Sequence, residues 1–405
     1  MNKSSKYHRV PTLIIYLSSF LFLFFLLILF AYFAPIPIPP YLDFQVLYHA
    51  DLGLLQGIHL YDHIGQVNMI ARLAGVTPDQ VYLLPFPYPP WYALSTLFLA
   101  LLPIQAAARL WFGLNFVMLL ASAWLLSSPL SSGEGLGVRA RLASFLVAIL
   151  FAPVLGSLFV GQFIFPVLLG ASLLMFSLRR ANVPFTALAA ALLTFKPHLG
   201  GPIVLAALVY LFLRRDDFSR RALRAILITG VLLFAFGFLA DPVWPVNYLH
   251  SLLGFRSDPG VSSCGLCASL PVTLVGLATG QTAIGPALPL GLVFFVLLSG
   301  AWFLLRRDLF RIPEAIVSLA IFILLLADPY LLNYDFTLLL VPLFALAASA
   351  RRMDWIWLAL AYLLPLALLG LLGRGGNPYL FIAVLLLLSL QLTRASSIDA
   401  SPRGA

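Results

Sequence analysis

The chain has 405 residues, of which 62% are apolar and only 10% charged, far too little polar surface for a soluble globule of that size. Apolar runs of roughly 20 residues recur from end to end, so helices rather than a barrel satisfy the backbone in lipid. The net charge of +9 does not mark a nucleic-acid binder, because the arginines stand in short clusters between apolar runs, where they act as topology signals.

Lys3, Lys6 and Arg9 precede the first apolar run, which lacks a small-residue cleavage site and reads as a retained anchor with a cytoplasmic N-terminus. Pro35, Pro37, Pro39 and Pro40 end that helix, since each ring removes a backbone donor and clashes with the preceding turn. The stretch that follows, Pro39 to Tyr61, brings Asp43, His49, Asp51 and His59 in quick succession, with Asp62 next, in a chain otherwise poor in charge. A helix from about Asp43, terminated near Gly57, places Gln45, His49 and Gln56 on one stripe and Phe44, Tyr48 and Leu55 on another. The expectation is a helix lying on the membrane surface, with Asp43 either capping it or reacting.

Further apolar runs lie at about 88–102, 108–127, 142–159, 162–178, 183–195, 199–213, 222–240, 286–305, 314–327, 336–350, 354–372 and 378–393. The positive-inside rule puts Arg179/Arg180, Arg214/Arg215 with Arg220, Arg221 and Arg224, Arg306/Arg307/Arg311, Arg351/Arg352 and Arg394 in the cytoplasm. Thirteen runs do not place both termini inside, so either one segment between about 128 and 178 does not cross or Arg139 and Arg141 lie outside; about twelve crossings are expected. A single membrane domain over 1–393 is expected, with outer loops at 35–87 and 241–285 and a short cytoplasmic tail at 394–405. The linker SSPLSSGEGLGVRAR is loop-like.

This topology collects the chemically capable residues on the outer face. Lys196, one of three lysines, stands in LLTFKPHLGGP, where Pro197 and Gly200/Gly201 break the helix. An ionisable group at membrane depth is a functional candidate, and a cation there suits a phosphate. His198 lies beside it. The segment LLLADPYLLNYDFTLLLVP offers Asp328, Asn333, Tyr334 and Asp335 between two apolar helices, with Asp335 also placed to cap the next one. Tyr88 and Gln162 stand at the same level, and Arg256 and Arg374 are the other basic groups outside. Asp216 and Asp217, flanked by arginines, suit surface pairs. Cys264 and Cys267 form SSCGLC, without the second Cys/His pair that zinc requires, so a local disulfide or two incidental thiols outweigh a redox role. No P-loop, GxSxG elbow, HExxH or DxD is present, and no metal ligand set or cofactor site stands out.

DFQVLYHADLGLLQGIHLYD, PFPYPPWYALSTLFLALLP, GQFIFPVLLGASLLMFSLRR, LLTFKPHLG and ADPYLLNYDFTLLLVPL together resemble, in order and spacing, the family 87 glycosyltransferases, polytopic enzymes of the GT-C class that include polyprenyl-phosphate-mannose-dependent mannosyltransferases. The resemblance implies an all-α polytopic membrane protein, a GT-C-type bundle with a helical first extracytoplasmic loop, in a bacterial-type plasma membrane. It implies an inverting transfer from a polyprenyl-phosphate sugar to a lipid or glycan acceptor on the outer face. Asp43 matches the first-loop aspartate that acts as general base. Lys196, then Arg256 or Arg374, are chosen on chemical grounds for the leaving phosphate, and His49, Asp51, Tyr88, Gln162, His198, Asn333, Tyr334 and Asp335 as substrate-binding candidates. Where mannosyltransferase members carry a histidine in the late outer loop, this chain reads Asn333-Tyr334-Asp335. The competing expectation is a transporter or lipid flippase with its site near Lys196 and Asp335.

Overall fold

The computed structural model describes residues 25–33, 42–128, 138–305 and 312–399, and these fold as helices and turns without a strand. The basic N-terminal residues, the prolines at 35–40, most of the linker and the cluster at Arg306, Arg307 and Arg311 lie outside the described residues. In chain order the helices are α1 (25–33), α2 (Leu42–Leu55), α3 (His63–Ala74), α4 (Pro90–Thr96), α5 (Ile104–Leu126), α6 (Val138–Leu150) and α7 (Ala152–Val160). There follow α8 (Ile164–Arg180), α9 (Val183–Leu193), α10 (Pro197–Arg214), α11 (Asp217–Gly237), α12 (Trp244–Ser257) and α13 (Pro259–Ser262). The last are α14 (Leu270–Thr279), α15 (Ile284–Leu305), α16 (Pro313–Ala327), α17 (Leu340–Ala347), α18 (Asp354–Leu372) and α19 (Phe381–Asp399).

Prolines set many of these starts. Pro90, Pro153, Pro184, Pro197, Pro245 and Pro313 occupy first-turn positions, where the missing N–H has no intrahelical partner to lose. The same punctuation keeps several apolar helices short. Among the described residues four helices are long and apolar enough to cross a membrane, beginning at Ile104, Pro197, Ile284 and Asp354. A fifth span results if Arg141–Leu150 and Ala152–Val160, bent by 65°, are joined. That bent pair falls inside the stretch where one run was expected not to cross. The other apolar runs form shorter helices, such as Val183–Leu193 and Pro313–Ala327, so the count of about twelve is an expectation from composition rather than a feature of helix length.

α8 and α16 form the centre: from Ala315 to Ala327 every residue of α16 is buried. α11, α15 and α18 lie outside and turn Leu227, Val231, Leu292, Val296, Ile356 and Leu363 outward, as helices facing hydrocarbon do. Ion pairs fix which helix ends lie together. Arg179 at the end of α8 pairs with Glu314 at the start of α16, and Arg394 on α19 pairs with Asp354 at the start of α18 at 2.7 Å while donating to Leu346 O. The arginine-bearing ends thus gather at one end of the bundle, and the starts of α8, α10 and the turn after α16 lie at the other.

Among the described residues, α2 is the most enclosed part of the first loop region. Phe44, Val46, Leu47, Tyr48, Ala50 and Asp51 are all buried, Phe44 stacks on Trp111 at 6.5 Å between centroids, and Tyr48 Oη donates to Leu102 O at 2.8 Å. The helix is packed against protein on most sides, because its apolar side chains surround it rather than forming one face. It ends at Leu55, with Gly57 in the left-handed region as expected. α19 runs on to Asp399, into the stretch assigned to the tail.

Candidate active site

Three interruptions of the helical bundle converge on the start of α2. The first is the turn Gly161-Gln162-Phe163 between α7 and α8. Gly161 closes α7 at φ 66°, a backbone conformation that only glycine adopts without cost. α5 fastens the turn: Trp111 Nε1 donates to Gly161 O at 2.9 Å and Asn115 Nδ2 to Gln162 O at 3.4 Å. Gln162 is buried, its Oε1 accepts from Phe163 N at 3.1 Å, and its Nε2 is thereby aimed outward to donate to Asp43 Oδ2 at 2.6 Å.

The second is Thr194-Phe195-Lys196 between α9 and α10. Pro197 starts α10 immediately after Lys196, and Gly200 lets the new helix pass so close to the old one that a Cβ there would collide with Leu193 O. Trp91 Nε1 donates to Thr194 Oγ1 at 2.9 Å, and Phe195 stacks on Tyr92 at 4.6 Å. Lys196 is thereby held inward, only 3% exposed.

The third is the segment from Asp328 to Leu339. Asp335, 1% exposed, takes Lys196 Nζ on Oδ1 at 2.6 Å and Leu332 N on Oδ2 at 2.9 Å. Asp335 does not cap the following helix as expected: it sits inside the 3₁₀ turn and closes it back onto Leu332, beside an ion pair to a residue 139 positions away. Ser157 of α7 anchors this turn through Thr337 Oγ1 at 2.8 Å and Tyr334 O at 3.2 Å. Lys196 Nζ also sits 5.0 Å from the centroid of the Tyr334 ring, a cation–π contact.

Asp43 lies in the first turn of α2, half-buried. Burial pushes its carboxyl above the ordinary range; the Gln162 hydrogen bond and the Lys196 charge pull it back, and Asp335 raises it again. Tyr88, Tyr330 and Tyr334 are all within electrostatic reach of both Asp43 and Asp335. Tyr88 meets Phe163 edge to face at 4.9 Å, and His198 lies 6.2 Å from Tyr330 between ring centroids. Asp43, Tyr88, Gln162, Lys196, His198, Tyr330, Tyr334 and Asp335 are therefore one constellation, which includes a carboxylate, a buried ion pair and three phenol rings. Asn333 opens the 3₁₀ turn that carries Asp335. Among the described residues, no group of three or more His, Cys, Asp or Glu side chains is placed to hold a metal ion.

Such an arrangement suits proton abstraction beside a fixed positive charge. The sequence profile of glycosyltransferase family 87 matches residues 86–329, more than half of the chain. The chain belongs to glycosyltransferase family 87. No curated protein and no solved structure matches it. As a family 87 member it is a glycosyltransferase, and its apolar helices fit an integral membrane protein.

Two candidates on α2 stand away from this constellation. His49 and Asp51 follow Asp43 by six and eight residues, about 9 and 12 Å along the helix axis. His49 packs edge to face on Tyr48 at 5.5 Å, and burial pushes its imidazole down to about 4, so it is neutral. Asp51 is fully buried with both carboxylate oxygens unpaired. It lies beside Thr96, whose hydroxyl donates to the Tyr92 and Ala93 carbonyls, and burial raises its carboxyl well above the usual range. An acid raised by folding loses stability as pH climbs from the unfolded pKa toward the folded one. Asp51→Asn is therefore expected to retain transfer and to raise Tm, by more at pH 8 than at pH 5, as a thermal melt in detergent at the two pH values would read.

Arg256 and Arg374 are both exposed. Arg256 follows Phe255, whose ring meets Tyr330 at 5.8 Å, and Arg374 lies in the 3₁₀ turn Gly373–Tyr379. Tyr330 is the site residue that sequence reasoning did not single out, although it lies in the same ADPYLLNYD segment. Trp111, Asn115 and Ser157 were also missed. Their only sequence signal is a hydrogen-bonding group within an apolar run.

Proposed function

We propose that this glycosyltransferase moves a sugar from a polyprenyl-phosphate-linked donor to a hydroxyl of a lipid or glycan acceptor, with inversion, at the extracytoplasmic face. The juxtaposition of Asp43 with the Lys196–Asp335 pair carries the reading. Asp43 takes the proton of the acceptor hydroxyl as that oxygen attacks the anomeric carbon. The bond from that carbon to the phosphate oxygen breaks, and the polyprenyl phosphate leaves with the electron pair. An ammonium has three donors. Asp335 engages one of them in Lys196, leaving two for the developing phosphate charge.

Gln162 keeps the Asp43 carboxylate aimed, while Tyr88, Tyr330 and Tyr334 offer aromatic faces to the sugar. The exposed Arg256 and Arg374 supply cations for the approaching phosphate. Two observations support the outer face: the site lies at the bundle end opposite the arginine clusters, and Cys264 and Cys267 in the loop on the site's side are joined as a disulfide, which persists in oxidising compartments. The donor sugar class is a mannose or related hexose or pentose, and the partners are the lipid-linked donor, the acceptor and membrane lipids.

A second reading, a transporter or lipid flippase, draws on the same buried Lys196–Asp335 pair at broken helices. Proteoliposomes separate the two. Supplied with a panel of polyprenyl-phosphate sugars and extracted membrane glycolipids, the protein is expected to form a glycosylated product whose new linkage is inverted by NMR. Translocation of lipid or sugar without any product would sink the transferase mechanism and favour transport.

A further inference from the structure

The disulfide between Cys264 and Cys267 has no part in the chemistry above, yet its surroundings lead to it. Both cysteines are buried in a small core of their own with Val261, Val272 and Ile284, against which Phe255 and Tyr330 pack. Cys264 holds φ at 41°, a left-handed backbone that a non-glycine residue keeps only when something restrains it. The reversal is closed by Cys267 N donating to Cys264 O at 3.0 Å.

Directly after it, Ala268 N donates to Leu331 O at 2.7 Å and Ser269 Oγ to Asp328 O at 2.8 Å, while Cys267 Sγ lies 3.9 Å from Pro329 O. From the other side the buried Asn377 donates Nδ2 to Leu266 O at 3.0 Å. The CxxC turn is thus fastened to the bent stretch 328–331. That stretch runs into Leu332, whose N–H binds Asp335 Oδ2, and the other oxygen of Asp335 holds Lys196. Three consecutive links connect the disulfide to the lysine.

We propose that the Cys264–Cys267 disulfide is a clip that positions Asp335, and through it Lys196, and that a dithiol reductant opens it and lowers sugar transfer without unfolding the bundle. The consequence for transfer rests on the glycosyltransferase mechanism proposed above. Opening is a thiol–disulfide exchange: one thiolate of the dithiol attacks a cysteine sulfur, the other cysteine leaves as thiolate, and the second reductant thiol resolves the mixed disulfide. Two electrons and two protons reach the cysteines, and the dithiol becomes a cyclic disulfide. The ring closed by Cys264 and Cys267 spans so few residues that its loss restores little chain entropy to the unfolded state. The effect is accordingly local.

The test uses the full-length protein in proteoliposomes, oxidised, reduced with dithiothreitol to two titrated thiols, and reoxidised. Reduction is expected to lower transfer at least fivefold with Tm nearly unchanged, and reoxidation to restore it. Cys264→Ser with Cys267→Ser should sit at the lower rate and ignore dithiothreitol. Amide hydrogen exchange at Leu332 should quicken at least tenfold on reduction, a readout that needs no transfer and so separates failure of the clip from failure of the transferase reading. The clip is overturned by two thiols titrating before any reductant, by unchanged Leu332 exchange with two thiols counted, by full activity in the double serine variant, or by wholesale unfolding on reduction.

Discussion

Asp43→Asn is expected to lower kcat by about 10²–10⁴-fold, the usual contribution of a positioned general base, while the protein stays folded and binds donor as before. The amide has nearly the same shape as the carboxylate and can still accept the Gln162 hydrogen bond on its oxygen. What it lacks is the ability to take a proton. Initial rates at saturating donor, a thermal melt and a donor-binding measurement on the same preparation read the three quantities. Full activity in Asp43→Asn would reduce Asp43 to a packing residue and pass the search for a base to Asp335.

The pH profile gives the same expectation a sign. The base works as carboxylate, so transfer rises with pH through the folded-state pKa of Asp43. Burial lifts that pKa, and the acid limb therefore falls above the ordinary carboxylate value of about 4. A hydrogen bond to the charged form lowers a pKa. Gln162→Leu removes such a bond and should move the acid limb to higher pH, without the flat loss of rate at all pH values that Asp43→Asn produces. A profile in Gln162→Leu that shifts downward would contradict the assigned polarity of the contact.

Much of this constellation is legible in the sequence, and the reason is the solvent. In an apolar background each of Asp43, Lys196 and Asp335 costs free energy to bury, so each stands out as a residue needing a partner. What one-dimensional reading lacks is the pairing: nothing in LLTFKPHLG points to NYD more than to any other acidic segment, and the ion pair exists because α10 and α16 pack side by side. Clustering in sequence was also a poor guide to clustering in space. Asp51 is close to Asp43 along the chain, yet its carboxyl turns into the packing beneath α4. Polar stripes drawn on the α2 helical wheel likewise leave out the apolar residues between them, which pack against protein. Helix length was the third gap. Hydropathy marks where the chain is apolar, while Pro and Gly decide how far each helix runs, as at the bend between Leu150 and Ala152.

Separating what Lys196 and Asp335 do for folding from what they do for transfer requires both single variants and the double one. Their side chains are 4% and 1% exposed, and removing one partner of such a pair leaves the other charge buried and uncompensated, at about 3–5 kcal/mol. Lys196→Met and Asp335→Leu are each expected to lower unfolding stability by that order. Because well-packed apolar replacements of a buried pair are often neutral or stabilising, Lys196→Met with Asp335→Leu should return to near wild-type stability. Transfer should not return with it, since the leaving phosphate then meets no ammonium at that position. Denaturant or thermal unfolding in detergent, beside rates at saturating donor, completes the cycle. A stable double variant with full transfer would make the pair a structural tie alone and move the phosphate contact to Arg256 or Arg374. A stable double variant that binds donor with unchanged affinity yet fails to turn over would place the role of Lys196 in the transition state rather than in ground-state binding.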